Sequence, residues 1–157
     1  MRSEEISREL IAGGVSIPEQ VLAFSDAEVD ALERAAGVHF PAAYREFLLA
    51  VGKRARGYFD GTRIFGTQIA ELNEAAAALL RENEETFALP ADAFVFSMHQ
   101  GYQFHYFRAS DGDDPPVYFY SEGCGPPEQV FASFSEFVRE SIRWHIESEA
   151  DRRMAEG

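Results

Sequence analysis

Apolar residues recur at helical spacing in the first half of the chain and at every second position in much of the second half. Val29, Leu32 and Ala36 lie three and four residues apart, a spacing that places them on one face of a helix. From Phe94 onward the period becomes two, which is typical of strands. The pattern predicts helices first, then a group of strands, then a closing helix.

Local signals mark where the helices begin and end. Ser25 and Glu28 have the spacing of a capping box, and Gly37 is suited to end the helix that they open. A second helix is predicted to open at Pro41, because proline is tolerated in a first turn, and to end at Gly52. Further helices are predicted over residues 4–12, over residues 67–85 and from Ser133 onward.

Strands are predicted over residues 94–99, 102–108, 117–121 and 129–132. A two-residue turn at Gln100-Gly101 pairs His99 with Tyr102. This register places His99 and His105 on opposite faces and excludes a metal site between them, whereas a one-residue change in the turn reverses that conclusion. We expect one mixed, aromatic face to be partly open, formed by Val95, Ser97, His99, Tyr102, Phe104 and Tyr106.

The order of elements predicts an α+β fold in a single domain, with a mostly antiparallel sheet packed against several helices that cover one of its faces. We expect an N-terminal extension with a short helix over residues 1–23, the main domain over residues 24–146, and a charged, frayed tail over residues 147–157.

Composition narrows the possible partners. Lys and Arg total 14 and Asp and Glu total 27, so the formal charge is 14 − 27 = −13. Such an acidic surface argues against binding to nucleic acid or to a membrane surface, and it is compatible with a cationic protein. The single cysteine and the lack of a long apolar run indicate a cytoplasmic protein.

Few residues offer catalytic or ligand chemistry. The acidic segment 111–114 contains a glycine and precedes two prolines, which favours a solvated turn over a cation site. Cys124 has no histidine beside it, which favours an inert thiol. We therefore assign no catalytic residue, no metal ligand and no cofactor. A ligand pocket lined by His99, Tyr102 and Asp111, in a small enzyme or a ligand-binding protein, stays open as an alternative.

Several segments taken together resemble one known family. The first part comprises an acidic helix over residues 24–33, then Gly37, the step Phe40-Pro41, and Tyr44 ahead of Phe47-Leu48. The second part comprises strands over residues 94–106, Pro116-Val117-Tyr118, and the run from Ala132 to Phe137 that opens the last helix. Their order resembles the SUKH superfamily, in the branch of cell-wall assembly regulators and killer-toxin resistance proteins. Phe40 stands where the family more often has leucine.

The resemblance implies an α+β domain with a sheet beside several helices. Many bacterial members look like immunity proteins, which bind and neutralise a toxin of a polymorphic or contact-dependent system, and fungal members are regulatory scaffolds. The family offers no catalytic motif to carry over. It therefore implies a non-enzymatic, protein-binding domain, either an immunity protein or a regulatory scaffold that binds endogenous proteins.

The acidic charge and the resemblance together suggest where a partner binds. We expect a cationic toxin domain to meet the acidic helix and the open sheet face, with aromatic side chains as anchors. The chain itself is expected to be a monomer or a weak homodimer. The candidate partner-binding residues are Asp26, Asp30, Glu33, His99, Tyr102 and Tyr106.

Overall fold

Five helices and seven strands make up the fold in the computed structural model, which describes residues 1–157. The helices are α1 (Ser3–Ala12), α2 (Asp26–Ala36), α3 (Ala42–Val51), α4 (Leu72–Glu82) and α5 (Phe134–Glu156). The strands are β1 (Val21–Leu22), β2 (Arg54–Ala55), β3 (Thr62–Arg63), β4 (Ala93–His99), β5 (Gln103–Arg108), β6 (Val117–Ser121) and β7 (Glu128–Phe131). The α+β fold predicted from the sequence is confirmed.

The main sheet has five antiparallel strands in the order β3-β4-β5-β6-β7. The strands β4 to β7 follow one another as a meander, because short connections join neighbouring antiparallel strands. Strands β3 and β7 form the two edges, and β1 pairs with β2 in a separate two-stranded sheet.

The start of α2 shows the predicted capping box. The Ser25 hydroxyl oxygen accepts a hydrogen bond from the Glu28 main-chain N–H at 3.2 Å, and the Glu28 carboxylate accepts one from the Ser25 N–H at 3.1 Å. Gly37 ends the helix with a φ of 71°, a conformation that glycine adopts without steric cost. Helix α3 begins directly after Pro41, also as predicted.

An aromatic cluster fills the core between the sheet and helices α3 and α5. Tyr44 of α3 is fully buried, and its ring lies 5.0 Å from Phe40, 5.2 Å from Phe107 and 5.4 Å from Phe134. The Tyr44 hydroxyl has no hydrogen-bond partner, and burial raises its pKa far above the usual range. Edge-to-face contacts of this kind stabilise aromatic cores beyond simple burial.

The predicted hairpin register is wrong near the turn. Gln100 and Gly101 do form the turn, with φ values of 51° and 77°, but the ladder starts at the pair His99–Gln103 and leaves Tyr102 as an extra residue. A second irregularity between Val95 and Ser97 restores the expected pairing further along the strand. His105 is consequently paired with Ser97, and it shares a sheet face with His99 rather than opposing it.

The sheet is also covered on both faces, so the expectation of an open aromatic face is wrong. Helices α3 and α5 pack on one face, and α4 lies on the other, where its Asn73 side chain bonds the main chain of Ala93 and Val95 at 2.8 and 2.6 Å. Val95 and Phe104 are fully buried, and Tyr106 is 6% exposed.

Both ends of the chain pack against the rest of the domain. In α1, Ile6 and Leu10 are buried against α3, so residues 1–23 contribute to the core. The prediction that the chain frays after residue 147 is wrong, because α5 continues to Glu156. Arg152 pairs with Glu156 at 2.8 Å one turn later, and Arg153 donates to the Gly14 carbonyl at 3.1 Å. None of the helices combines the length and the apolar character that crossing a membrane requires.

Candidate protein-binding surface

The acidic residues predicted on α2 are largely engaged within the chain. Asp26 and Asp30 both pair with Arg45 of α3, at 3.6 and 3.0 Å. The Glu33 carboxylate accepts a hydrogen bond from the Phe40 main-chain N–H at 2.7 Å, which fixes the connection between the two helices. The negative charge of α2 is therefore partly compensated, and Glu33 has a structural role.

The three aromatic candidates lie in different environments. The His99 ring nitrogen Nδ1 is 3.0 Å from the Thr62 hydroxyl, and Tyr102 is exposed beside it at the turn. Tyr106 is buried and stacks on Tyr118 with ring centroids 5.1 Å apart. The six candidate residues thus form no single surface: three lie on α2, two at the β4–β5 turn and one inside the sheet. Contact between any of them and a partner stays a prediction.

A concave surface beside α5 brings together residues that the sequence did not single out. We call it the aromatic groove. It has a volume of about 340 Å³. Its lining comes from the β2–β3 connection, from β5, from β7 and from α5, and comprises Phe59, His105, Phe131, Phe137, Glu140, Ser141, Arg143, Trp144 and Glu147.

Aromatic rings form the floor and one wall of the groove. Phe137 stacks on Phe59 with ring centroids 5.8 Å apart and meets Phe131 edge-on at 5.6 Å. Trp144 stands on the wall and is 63% exposed, with its ring edge-on to His145 at 4.9 Å. An exposed tryptophan above packed rings is the kind of residue that anchors protein interfaces.

His105 lies at the bottom of the groove as a neutral side chain. Its Nδ1 is 2.9 Å from the Ser97 hydroxyl, and the rings of Phe119 and Phe137 lie 4.8 and 5.3 Å away. Burial among these rings lowers its pKa to about 4, because a low-dielectric environment disfavours the charged imidazolium. At neutral pH the imidazole is therefore uncharged.

Other polar groups around the groove are held by structural hydrogen bonds. His145 Nε2 accepts from the Phe59 main-chain N–H at 3.0 Å, so Nδ1 carries the proton and donates to the Ser141 carbonyl at 2.7 Å. The Ser141 hydroxyl donates to the Val138 carbonyl at 2.8 Å and lies 2.6 Å from the Tyr58 hydroxyl. A serine in these bonds is not paired with a base in the way that nucleophilic catalysis needs.

The rim of the groove is charged. Arg143 pairs with Glu140 one turn before it and with Glu147 one turn after it, the latter at 3.5 Å. No group of three His, Cys, Asp or Glu side chains stands together in a way that could hold a metal ion. Packed rings within a charged rim favour recognition of a protein surface over acid–base or metal chemistry.

One signal in the sequence could have pointed to this groove. Trp144 is the only tryptophan, and it follows the buried Phe137 of α5 by seven residues, about two helical turns, so both lie on the same face of the helix. Arg143 and Glu147 lie close to it in the sequence, and a large apolar side chain among charged residues, in line with the core, is a candidate interface anchor. The floor residues could not be found in this way, because they resemble ordinary core residues.

The fold defines an α+β domain, and the aromatic groove is its candidate binding surface. The family model described as SMI1-KNR4 cell-wall, one of the SUKH models, matches residues 26–138. The chain therefore belongs to the SUKH family, whose domains are often immunity proteins or Smi1/Knr4-like proteins and are generally non-catalytic. No curated protein matches the chain. The matched range includes the groove floor and ends before Trp144.

Proposed function

We propose that this protein is a cytoplasmic, non-enzymatic immunity protein that binds and neutralises a cationic toxin domain through the aromatic groove. The observation that carries the proposal is the exposed Trp144 beside the packed rings of the groove. Membership of the SUKH family supports it, because domains of this family are often immunity proteins.

Trp144 can supply part of the binding energy of a specific complex. Covering the exposed part of Trp144 removes about 150 Å² of apolar surface from water, which contributes about 4 kcal/mol before the costs of association. The rings beneath it are already packed against each other, so little side-chain freedom is lost on binding. A preformed anchor site of this kind is typical of interface hot spots.

The net charge of −13 supports a cationic partner. Opposite charge accelerates association and orients the partner, and the effect weakens as salt is added. We therefore expect the association rate to fall steeply with ionic strength while the dissociation rate changes little.

The proposal is tested with the product of a neighbouring gene that encodes a toxin. Wild-type protein should co-purify with that product and rescue cells that express it. Trp144→Ala should weaken binding by about tenfold or more. Met154→Ala is the matched control, since Met154 is an exposed apolar residue on the same helix, 80% exposed and outside the groove, and it should bind as wild type does.

Two results would each contradict part of the proposal. If the wild-type chain neither binds nor rescues against any neighbouring toxin, the immunity function is wrong. If Trp144→Ala and Met154→Ala bind equally well, the groove is not the contact surface.

The description of the matching family model, SMI1-KNR4 cell-wall, favours a regulatory scaffold as the second candidate. Such a domain would use the same groove to bind an endogenous protein. Its gene would stand alone, without a toxin gene beside it, so gene order separates the two candidates.

A further inference from the structure

The edge of the sheet next to the aromatic groove is open. Strand β7 pairs with β6 on one side only, through Val117–Phe131, Tyr118–Gln129 and Phe119–Glu128. Its outer side has no strand neighbour, so main-chain groups there are free to pair with another chain. The opposite edge, β3, is only two residues long and offers far less.

Strand β7 carries only part of the protection that usually blocks an edge. It contains no lysine and no proline, and its Val130 is 42% exposed. Its pairing with β6 contains a register shift. This shift and the charge of Glu128 limit pairing with an arbitrary chain, so a strand added here has to accommodate the shift and meet a negative charge.

The open edge and the groove are continuous. Phe131 of β7 lines the groove and lies 5.6 Å from Phe137 on its floor. Paired strands align their side chains on common faces. A strand added beyond β7 would therefore place every second side chain on the face that carries Phe131, beside the groove.

Charge near this edge indicates the composition of the added strand. Glu122 and Glu128 flank the β6–β7 connection, are exposed, and form no ion pair within the chain. A segment carrying Lys or Arg would therefore meet uncompensated negative charge on its way to the edge.

We infer that β7 receives an extended segment of the basic partner as a sixth strand, with apolar side chains entering the groove and Lys or Arg alternating with them. The inference rests on the proposed function, because it assumes that the groove binds a protein. Main-chain pairing supplies roughly four hydrogen bonds for a strand of this length, and the groove supplies side-chain selectivity.

The test places a positive charge on the edge of the full-length chain. Val130→Lys should weaken binding of the neighbouring toxin by about tenfold, because the lysine repels a basic segment and obstructs pairing. Ala91→Lys, at an exposed position outside the edge and the groove, adds the same charge and should change binding little. Urea denaturation of both variants verifies that they are folded. Hydrogen exchange should show new protection of the β7 amides in the complex.

The outcomes separate this inference from the proposed function. If the wild-type chain binds the toxin but Val130→Lys binds equally well and the β7 amides gain no protection, the sixth strand is wrong and the immunity function stands. If the wild-type chain binds no toxin, the proposed function fails. In that case short synthetic peptides alternating Lys with Val or Phe are titrated onto the ¹⁵N-labelled chain. Shifts confined to β7 and the groove then support the inference, and their absence overturns it.

Discussion

Mild acid will destabilise this protein through His105. The side chain lies among the rings of Phe96, Phe119 and Phe137, and its Nδ1 is 2.9 Å from the Ser97 hydroxyl. Burial lowers its pKa from 6.5 to about 4. The folded protein therefore keeps this imidazole neutral at pH values where the unfolded chain protonates it.

The size and sign of the effect follow from this difference in pKa. Above about pH 7.5 the imidazole is almost entirely neutral in both states, and His105 adds little pH dependence. As the pH falls from 6.5 to about 4, only the unfolded chain binds the proton, so the free energy of unfolding falls. At about 1.4 kcal/mol for each pKa unit, the loss is about 2.5 kcal/mol by pH ~4.5 and about 3.5 kcal/mol when complete.

Urea denaturation from about pH 7.5 to about pH 4.5 measures the loss. Burial also lowers the pKa of His145, so the contribution of His105 is taken as the difference between wild type and His105→Gln. This variant keeps a polar group near Ser97, but the glutamine does not titrate. Between these two pH values its free energy of unfolding should fall by about 2.5 kcal/mol less than that of the wild type. His39→Gln, at an exposed histidine, should follow the wild type. If the free energy of unfolding falls equally with pH in wild type and in His105→Gln, the predicted contribution of His105 is wrong.

Two further predictions concern the core and a tight loop, and urea denaturation checks both. Tyr44→Phe should leave stability unchanged or raise it by about 1 kcal/mol, because the lost hydroxyl is buried without a partner; a loss above about 1 kcal/mol would contradict this. Gly57→Ala should cost more than Gly61→Ala. Both glycines have positive φ, but a Cβ on Gly57 would lie 2.0 Å from the Val15 carbonyl oxygen, whereas one on Gly61 meets nothing within 4 Å. Equal losses would rule out the clash.

The sequence predicted the structure correctly where that structure depends on residues close together in the chain. The capping box of α2 joins Ser25 to Glu28 within one turn, so spacing alone identified it. The hairpin register depends on a third strand instead. The Tyr102 carbonyl accepts a hydrogen bond from the Glu122 main-chain N–H at 2.9 Å, in the connection after β6. Tyr102 therefore contacts the connection after β6 as well as His99 within the turn, where its N–H donates to the His99 carbonyl at 3.2 Å, and no local pattern encodes the first of these contacts.

The same distinction between local and distant contacts applies to the C-terminus and to α2. Ion pairs within one helix contribute only about 0.5 kcal/mol each. For this reason the charged end of α5 was predicted to be a frayed tail. The contact between Arg153 and Gly14, which helps to hold this end in place, joins residues 139 positions apart. The acidic face of α2 was correctly read from its spacing, but Arg45 approaches from α3 and compensates two of its carboxylates.

The structure separates residues that the fold needs from residues that a partner could select. Phe137 is 3% exposed and packs against the rings of Phe59, His105 and Phe131, so replacing it with alanine would cost about 3–5 kcal/mol of stability. Trp144 is 63% exposed and Val130 is 42% exposed, and exposed side chains away from special features change stability by only about 0.5 kcal/mol. Under the proposed function, the exposed pair can therefore vary with the partner while the buried floor preserves the fold. A change in specificity at these two positions then costs little stability.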